Sequence, residues 1–185
     1  APFFAVFMLR DLKFSYLTYT LVIVPVPLTT ILLIQRLGRF ADRVGNIRIL
    51  KFTAFFIASL PLPWIIYRHP IFLIFVQILG GFAWSGFNLC ATNFIFDSVS
   101  APKRIRCFSY FNVINGFCIS MGALIGGYLA THVPALLGYK LLFLFLFSSM
   151  MSFIVVLIFT PKIREVRGNV ETVNAGEIFK YVLLK

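Results

Sequence analysis

Long uncharged runs alternate with short polar clusters along the chain. Five of these runs, at about 14–37, 49–67, 71–96, 107–131 and 139–160, are each about 20 residues or more, the length that carries a helix across a hydrocarbon core about 30 Å thick. A helix satisfies its own backbone in lipid without closing a barrel, and the ten-residue alternation of a barrel strand is missing here. The pattern therefore predicts an all-α membrane protein, a helical bundle of five full transmembrane helices. A sixth apolar stretch at 1–9 is too short to cross and reads as a truncated first helix whose beginning lies upstream. After Arg167 the chain turns polar, with Asn169, Glu171, Asn174 and Glu177, so 161–185 is expected to be a peripheral tail. Ile178, Phe179, Val182 and Leu183 share one side of that tail, as in a short helix lying on a membrane surface.

Composition agrees with a lipid solvent. Of 185 residues 60% are hydrophobic and 12% charged, against about 45–50% and about 25% in soluble domains; mean hydropathy is +0.94. The net charge of +11 invites a nucleic-acid reading, but nucleic-acid modules spread Lys and Arg over a polar face, whereas here they sit in clusters between spans. No nucleic-acid partner is expected. Thirteen of the 17 basic residues fall on one side of the bundle, around 36–51, at 103–106 and in the tail; Arg10, Lys13, Arg68 and Lys140 fall on the other. The rich side is cytoplasmic by the positive-inside rule. This puts the loops 38–48 and 97–106 and the tail in the cytoplasm of a multi-pass plasma (inner) membrane protein. Tyr16, Tyr19, Trp64, Tyr67 and Tyr139 then form an outer interfacial belt.

Pro25 and Pro27 are expected to bend the first full helix, and Pro61 and Pro63 the outer end of the next, because each removes a backbone donor. Pro70 suits the first turn of a helix. Cys90, Cys107 and Cys118 lack metal or disulfide spacing and read as apolar fillers. His69 and His132 are far apart and fall at the interface, so no metal site is expected.

The second connection reads Gly38-Arg39-Phe40-Ala41-Asp42-Arg43-Val44-Gly45-Asn46-Ile47-Arg48. It resembles the signature loop of the major facilitator superfamily, roughly G-x-L-A-D-R-x-G-R-R-x, with Gly38, Ala41, Asp42, Arg43 and Gly45 in register. Phe40 replaces the usual Leu, and Asn46 and Ile47 stand where basic residues are common. The resemblance continues through Gly80 to Asn88, Asp97 to Arg106, Gly122 to Gly127 and Pro161 to Arg167. It implies the carboxy-terminal half of a transporter built from two six-helix bundles around a cavity, with the amino-terminal half as its missing partner. It also implies that the 38–48 loop closes the cytoplasmic side when the cavity opens outward. The gating set is then Gly38, Asp42, Arg43, Gly45, Arg48, Asp97 and Arg104, with Gly38 and Gly45 expected to supply tight turns.

Inside the spans, Gln77, Gly80, Trp84 and Asn88 recur within one helical stripe, and Gly86, Cys90, Asn93 and Asp97 make a second on roughly the opposite face. Asn112, Asn115, Gly122 and Gly126 share an arc, the last two as a GxxxG that suits helix packing. Polar side chains at membrane depth usually face a bundle interior or a cavity. Gln77, Trp84, Asn88, Asn112 and Asn115, with Thr29 and Thr30 more weakly, are thus the residues placed to line a substrate cavity for a small solute. Packing between helices accounts for the same residues equally well.

No Asp, Glu, Lys, Arg or His lies near the centre of a span. A coupling carboxylate must then lie outside this chain, or the protein is a uniporter. No nucleophile–base pair or cofactor motif appears, so neither enzymatic activity nor a cofactor is expected. Secondary active transport of a small solute by alternating access is the leading expectation. A lipid-handling member of the same fold and a membrane-embedded sensor or enzyme are the alternatives.

Overall fold

A computed structural model describes residues 2–134 and 136–163. The tail beyond 163, with its expected surface helix, lies outside the described residues. Helix α1 (Pro2–Val6) runs on as a π-helical turn over Phe7–Asp11. Ser15 then starts α2 (Tyr16–Ile23), its Oγ accepting from the Thr18 backbone N–H at 3.2 Å, the usual role of a Ser N-cap. Val24 keeps helical dihedrals and hands over to α3 (Pro25–Val44), so a single rod interrupted at its prolines covers Tyr16–Val44.

This rod continues well past residue 37, where the hydropathy pattern ends it. Nothing between 38 and 44 obliges a helix to stop, and Gly38 is simply helical. The turn falls to Gly45 alone, at φ 93°, a conformation that a Cβ resists. Its N–H closes α3 on the Ala41 carbonyl at 2.9 Å, and α4 (Asn46–Ser59) begins at the next residue. The stretch 38–48 is therefore two helix ends joined by one glycine, not a loop, and Gly38 makes no turn.

Pro61 and Pro63 interrupt the next rod before α5 (Pro63–Ile66), and Pro70 opens α6 (Pro70–Ser98). A short turn at Ala101–Lys103 leads into α7 (Arg104–His132), and α8 (Lys140–Phe159) ends in another at Thr160–Lys162. Five of the rods are long and apolar enough to cross a membrane, and no β-sheet occurs among the described residues.

Helix α6 is the axis, packing chiefly on α3 and α4. At the end away from the basic clusters a core forms around Phe7, Met8, Trp64, Leu73, Leu142 and Phe145. Trp64 is 1% exposed, its ring against Phe4 and Phe7. It fills protein interior rather than the interfacial belt expected of it, whereas Tyr16 and Tyr67 are open. Phe40, Ala41, Val44, Ile49, Leu50 and Cys90 make a second core at the basic end. Ser149 on α8 donates to the Ala58 carbonyl of α4 at 2.6 Å, buried between them. Helix α7 stands apart, with only 6% of its apolar window buried.

Candidate functional site

Two groups of polar side chains are set by this framework. The first lies at the basic end, where α3 closes, α4 opens and α6 finishes. Asp42 and Arg43 are in the last turn of α3, exposed. Arg48, half-buried, is in the first turn of α4. Asp97 is in the last turn of α6, and its Oδ2 accepts from the fully buried Asn46 Nδ2 at 2.8 Å. Asn93, one turn earlier, donates to Asn46 Oδ1 at 3.3 Å. Arg104, the first residue of α7, donates from Nε to the Phe96 carbonyl at 3.1 Å. A cation there satisfies a terminal carbonyl of α6 and complements the negative end of its dipole. Arg104 thereby ties α7 to α6 through backbone.

The stripe Gly86, Cys90, Asn93 and Asp97 runs along the seam that α6 shares with α3 and α4. A Cβ on Gly86 would stand 2.8 Å from Thr53 Cγ2, and Cys90 packs against the Phe40–Leu50 cluster. The seam is apolar at mid-depth and becomes an amide and carboxylate network at the basic end. Asn46 is the member that sequence reasoning did not select. Its only signal was an amide immediately after the turn glycine, in a position where the resembling motif has a base.

The second group is at membrane depth. Trp84, 45% exposed, and Asn88 stay open on α6, Trp84 resting edge-on against Phe87. Gln77 is half-buried, while Gly80 of the same stripe is closed against Leu60, just past the end of α4. Asn112 and Asn115 are open on α7. Thr29 and Thr30 are not open in the same way. Thr29 is 8% exposed, and its Cβ lies 2.9 Å from where Gly81 would carry one. Thr30 Oγ1 donates to the Val26 carbonyl at 2.9 Å, with Gly81 O 3.4 Å away. Thr29 is thus closed into the α3–α6 contact, and Thr30, half-buried, lies beside it.

The GxxxG pair divides as well. A Cβ on Gly126 would meet the Phe3 ring at 2.6 Å, whereas Gly122 has nothing within 4 Å. Gly126 is thus the close-approach point between α7 and α1. Gly122 packs against no described residue.

Among the described residues no three His, Cys, Asp or Glu side chains are grouped to hold a metal. The family model described as Major Facilitator Superfamily matches residues 1–182. Neither the curated proteins nor the solved structures give a match.

Proposed function

Because the chain belongs to the major facilitator superfamily, we propose that it is the carboxy-terminal half of a secondary active transporter that moves a small solute across the plasma (inner) membrane by alternating access. Its partner in this reading is an amino-terminal six-helix half of the same polypeptide, across a shared cavity. In this reading the basic end of the bundle, at 38–48 and 97–106, faces the cytoplasm, which the distribution of Lys and Arg supports. Transport of this kind calls on no cofactor and no bond chemistry.

One observation carries the reading. Helix α6 is the most enclosed span, with 44% of its window buried, yet Trp84 and Asn88 remain open on it. An amide facing hydrocarbon would be costly, so an open amide at this depth needs a protein partner or an aqueous cavity. An aromatic plane beside a few amides suits a small polar or amphipathic solute. Asn112 and Asn115 on the neighbouring α7 add amides of the same kind.

The test uses the full-length protein. If Asn88 and Asn112 line the cavity, replacing each with Ala changes substrate affinity in uptake assays and leaves the melting temperature in place. Interhelical amides behave oppositely, lowering stability by about 0.6–2 kcal/mol. Unchanged uptake with a lower melting temperature would assign both residues to packing.

A further inference from the structure

We propose that Arg68 anchors a phospholipid at the end of the bundle away from the basic clusters, its guanidinium holding the headgroup phosphate. The site rests on local geometry and is independent of the transport reading. Arg68 stands in the short connection 67–69 between α5 and α6. Its Cζ lies 5.1 Å from the centre of the ring of Tyr139, the residue that precedes α8. Phe7 meets the same ring edge-on at 5.6 Å, so the guanidinium rests on a ring that is itself pinned. A guanidinium carries five N–H donors. Among the described residues they find one acceptor, the Ile65 carbonyl, 3.5 Å from Nη2, the outer limit of a hydrogen bond. Nε is buried and has no partner among those residues, whereas buried donors in folded proteins nearly always have one. Among the described residues the carboxylate at this end is Asp11, which Arg10 holds at 2.9 Å. The neighbouring cation, Lys140, is turned to the Thr131 carbonyl at 3.0 Å.

The surroundings of Arg68 favour an anion. Helices α6 and α8, of 29 and 20 residues, both start beside it; no side chain caps either start, and neither first turn holds an acid. The positive ends of two helix dipoles thus add to the charge of the guanidinium. Its planar fork matches two oxygens of a phosphate. Arg68 is only half-buried, which leaves part of that fork open to a ligand. The apolar neighbours point to a lipid as the source of the phosphate. Ile66, Tyr67, Ile71 and Phe75 are all exposed, Ile66 at 80%. Ile71 and Phe75 are one turn apart on α6, so apolar side chains continue from the connection into the span. The chain leaves one span and enters the next here, the depth of the headgroups, where open tyrosines are favoured. A free phosphate would use the guanidinium and leave that apolar surface bare, whereas a diacyl lipid covers both.

The experiment titrates dioleoyl phosphatidylcholine into delipidated full-length protein and counts bound lipid by native mass spectrometry. This lipid has no net charge, so general attraction to basic residues drops out and the phosphate contact remains. Arg68→Gln weakens the tightest binding by about tenfold or more, as loss of a charge-assisted hydrogen bond implies. Lys13→Gln removes a cation from the same end and stays within about twofold of the parent, the usual reach of an exposed charge. Dioleoylglycerol, which lacks the phosphate, and inorganic phosphate, which lacks the chains, both fail to displace the lipid. Parent-like binding by Arg68→Gln overturns the site, and it is the result expected if Arg68 pairs instead with a carboxylate of the amino-terminal half. An equal loss in Lys13→Gln overturns it too, by reducing the effect to charge at large. Displacement by dioleoylglycerol would leave only an apolar surface, and displacement by inorganic phosphate only a site for a free anion; either overturns the lipid assignment. Should Arg68→Gln fail to accumulate, Arg68→Lys takes its place, keeping a cation and giving up the fork. A loss of about threefold or more then supports the site, and parent-like binding overturns it.

Discussion

Gly81 on α6 and Gly122 on α7 occupy opposite environments, and the difference is measurable one residue at a time. A Cβ on Gly81 would lie 2.7 Å from the Val26 carbonyl oxygen and 2.9 Å from Thr29 Cβ. The carbonyl is main chain, so it cannot turn aside as a side chain can; α3 and α6 would have to separate. Gly81→Ala is expected to destabilise the chain by about 1–3 kcal/mol, the usual cost of overpacking. Gly122→Ala meets nothing within 4 Å and should gain the helix-propensity difference of about 0.5–1 kcal/mol. Thermal unfolding of the purified 185-residue chain in detergent distinguishes the two. Equal melting temperatures for both variants would mean that the α3–α6 seam is looser than described. A loss of stability for Gly122→Ala confined to the full-length protein would mean that Gly122 packs on something outside this chain.

At the scale of elements, the presence of the five spans was legible and their facing was not. Twenty uncharged residues in a row identify a span because lipid demands that length. Lipid is as apolar as a neighbouring helix, however, so the two sides of a span differ little in composition. This is why Thr29 could be expected on a cavity wall yet packs on Gly81, and why Trp64 was assigned to the interface yet fills a core. The turn motif was legible in its residues, since Gly45 announces a conformation that other residues avoid. The hydrogen bonds between residues 46, 93 and 97 were not, because pairing across such sequence distance requires the helices to be placed first. The gating proposal belongs at this scale. Asp42 lies in the last turn of α3, three residues before Gly45, at the corner where α3 hands over to α4. A latch made in one state and broken in the other shifts their populations. Asp42→Asn in the full-length protein should therefore favour the inward-open state and slow transport, with insertion unchanged. Cysteine accessibility measured from both sides of the membrane reports the shift, and the same accessibility in variant and parent would retire Asp42 as a gate.

For the molecule as a whole, the uneven enclosure of its helices bears on what the 185 residues can do by themselves. Helix α6 is held on two sides by α3 and α4, and α8 is fastened to α4 through Ser149. Helix α7 touches α6 and α8 and is closed near Gly126 by Phe3, but most of its residues are exposed. Its Asn112 and Asn115 are open, as are Trp84 and Asn88 of α6. Alternating access requires a solute to be enclosed between two surfaces that rock against each other. In the half-transporter reading, the described residues supply one such surface, and none of them stands opposite its amides. The chain reconstituted alone in liposomes is accordingly expected to insert but to show no saturable uptake of any solute that the full-length protein carries. Background leak that rises linearly with solute concentration fits this expectation. Saturable flux would contradict it, unless cross-linking showed two copies of the chain facing each other, each then supplying the wall that the other lacks.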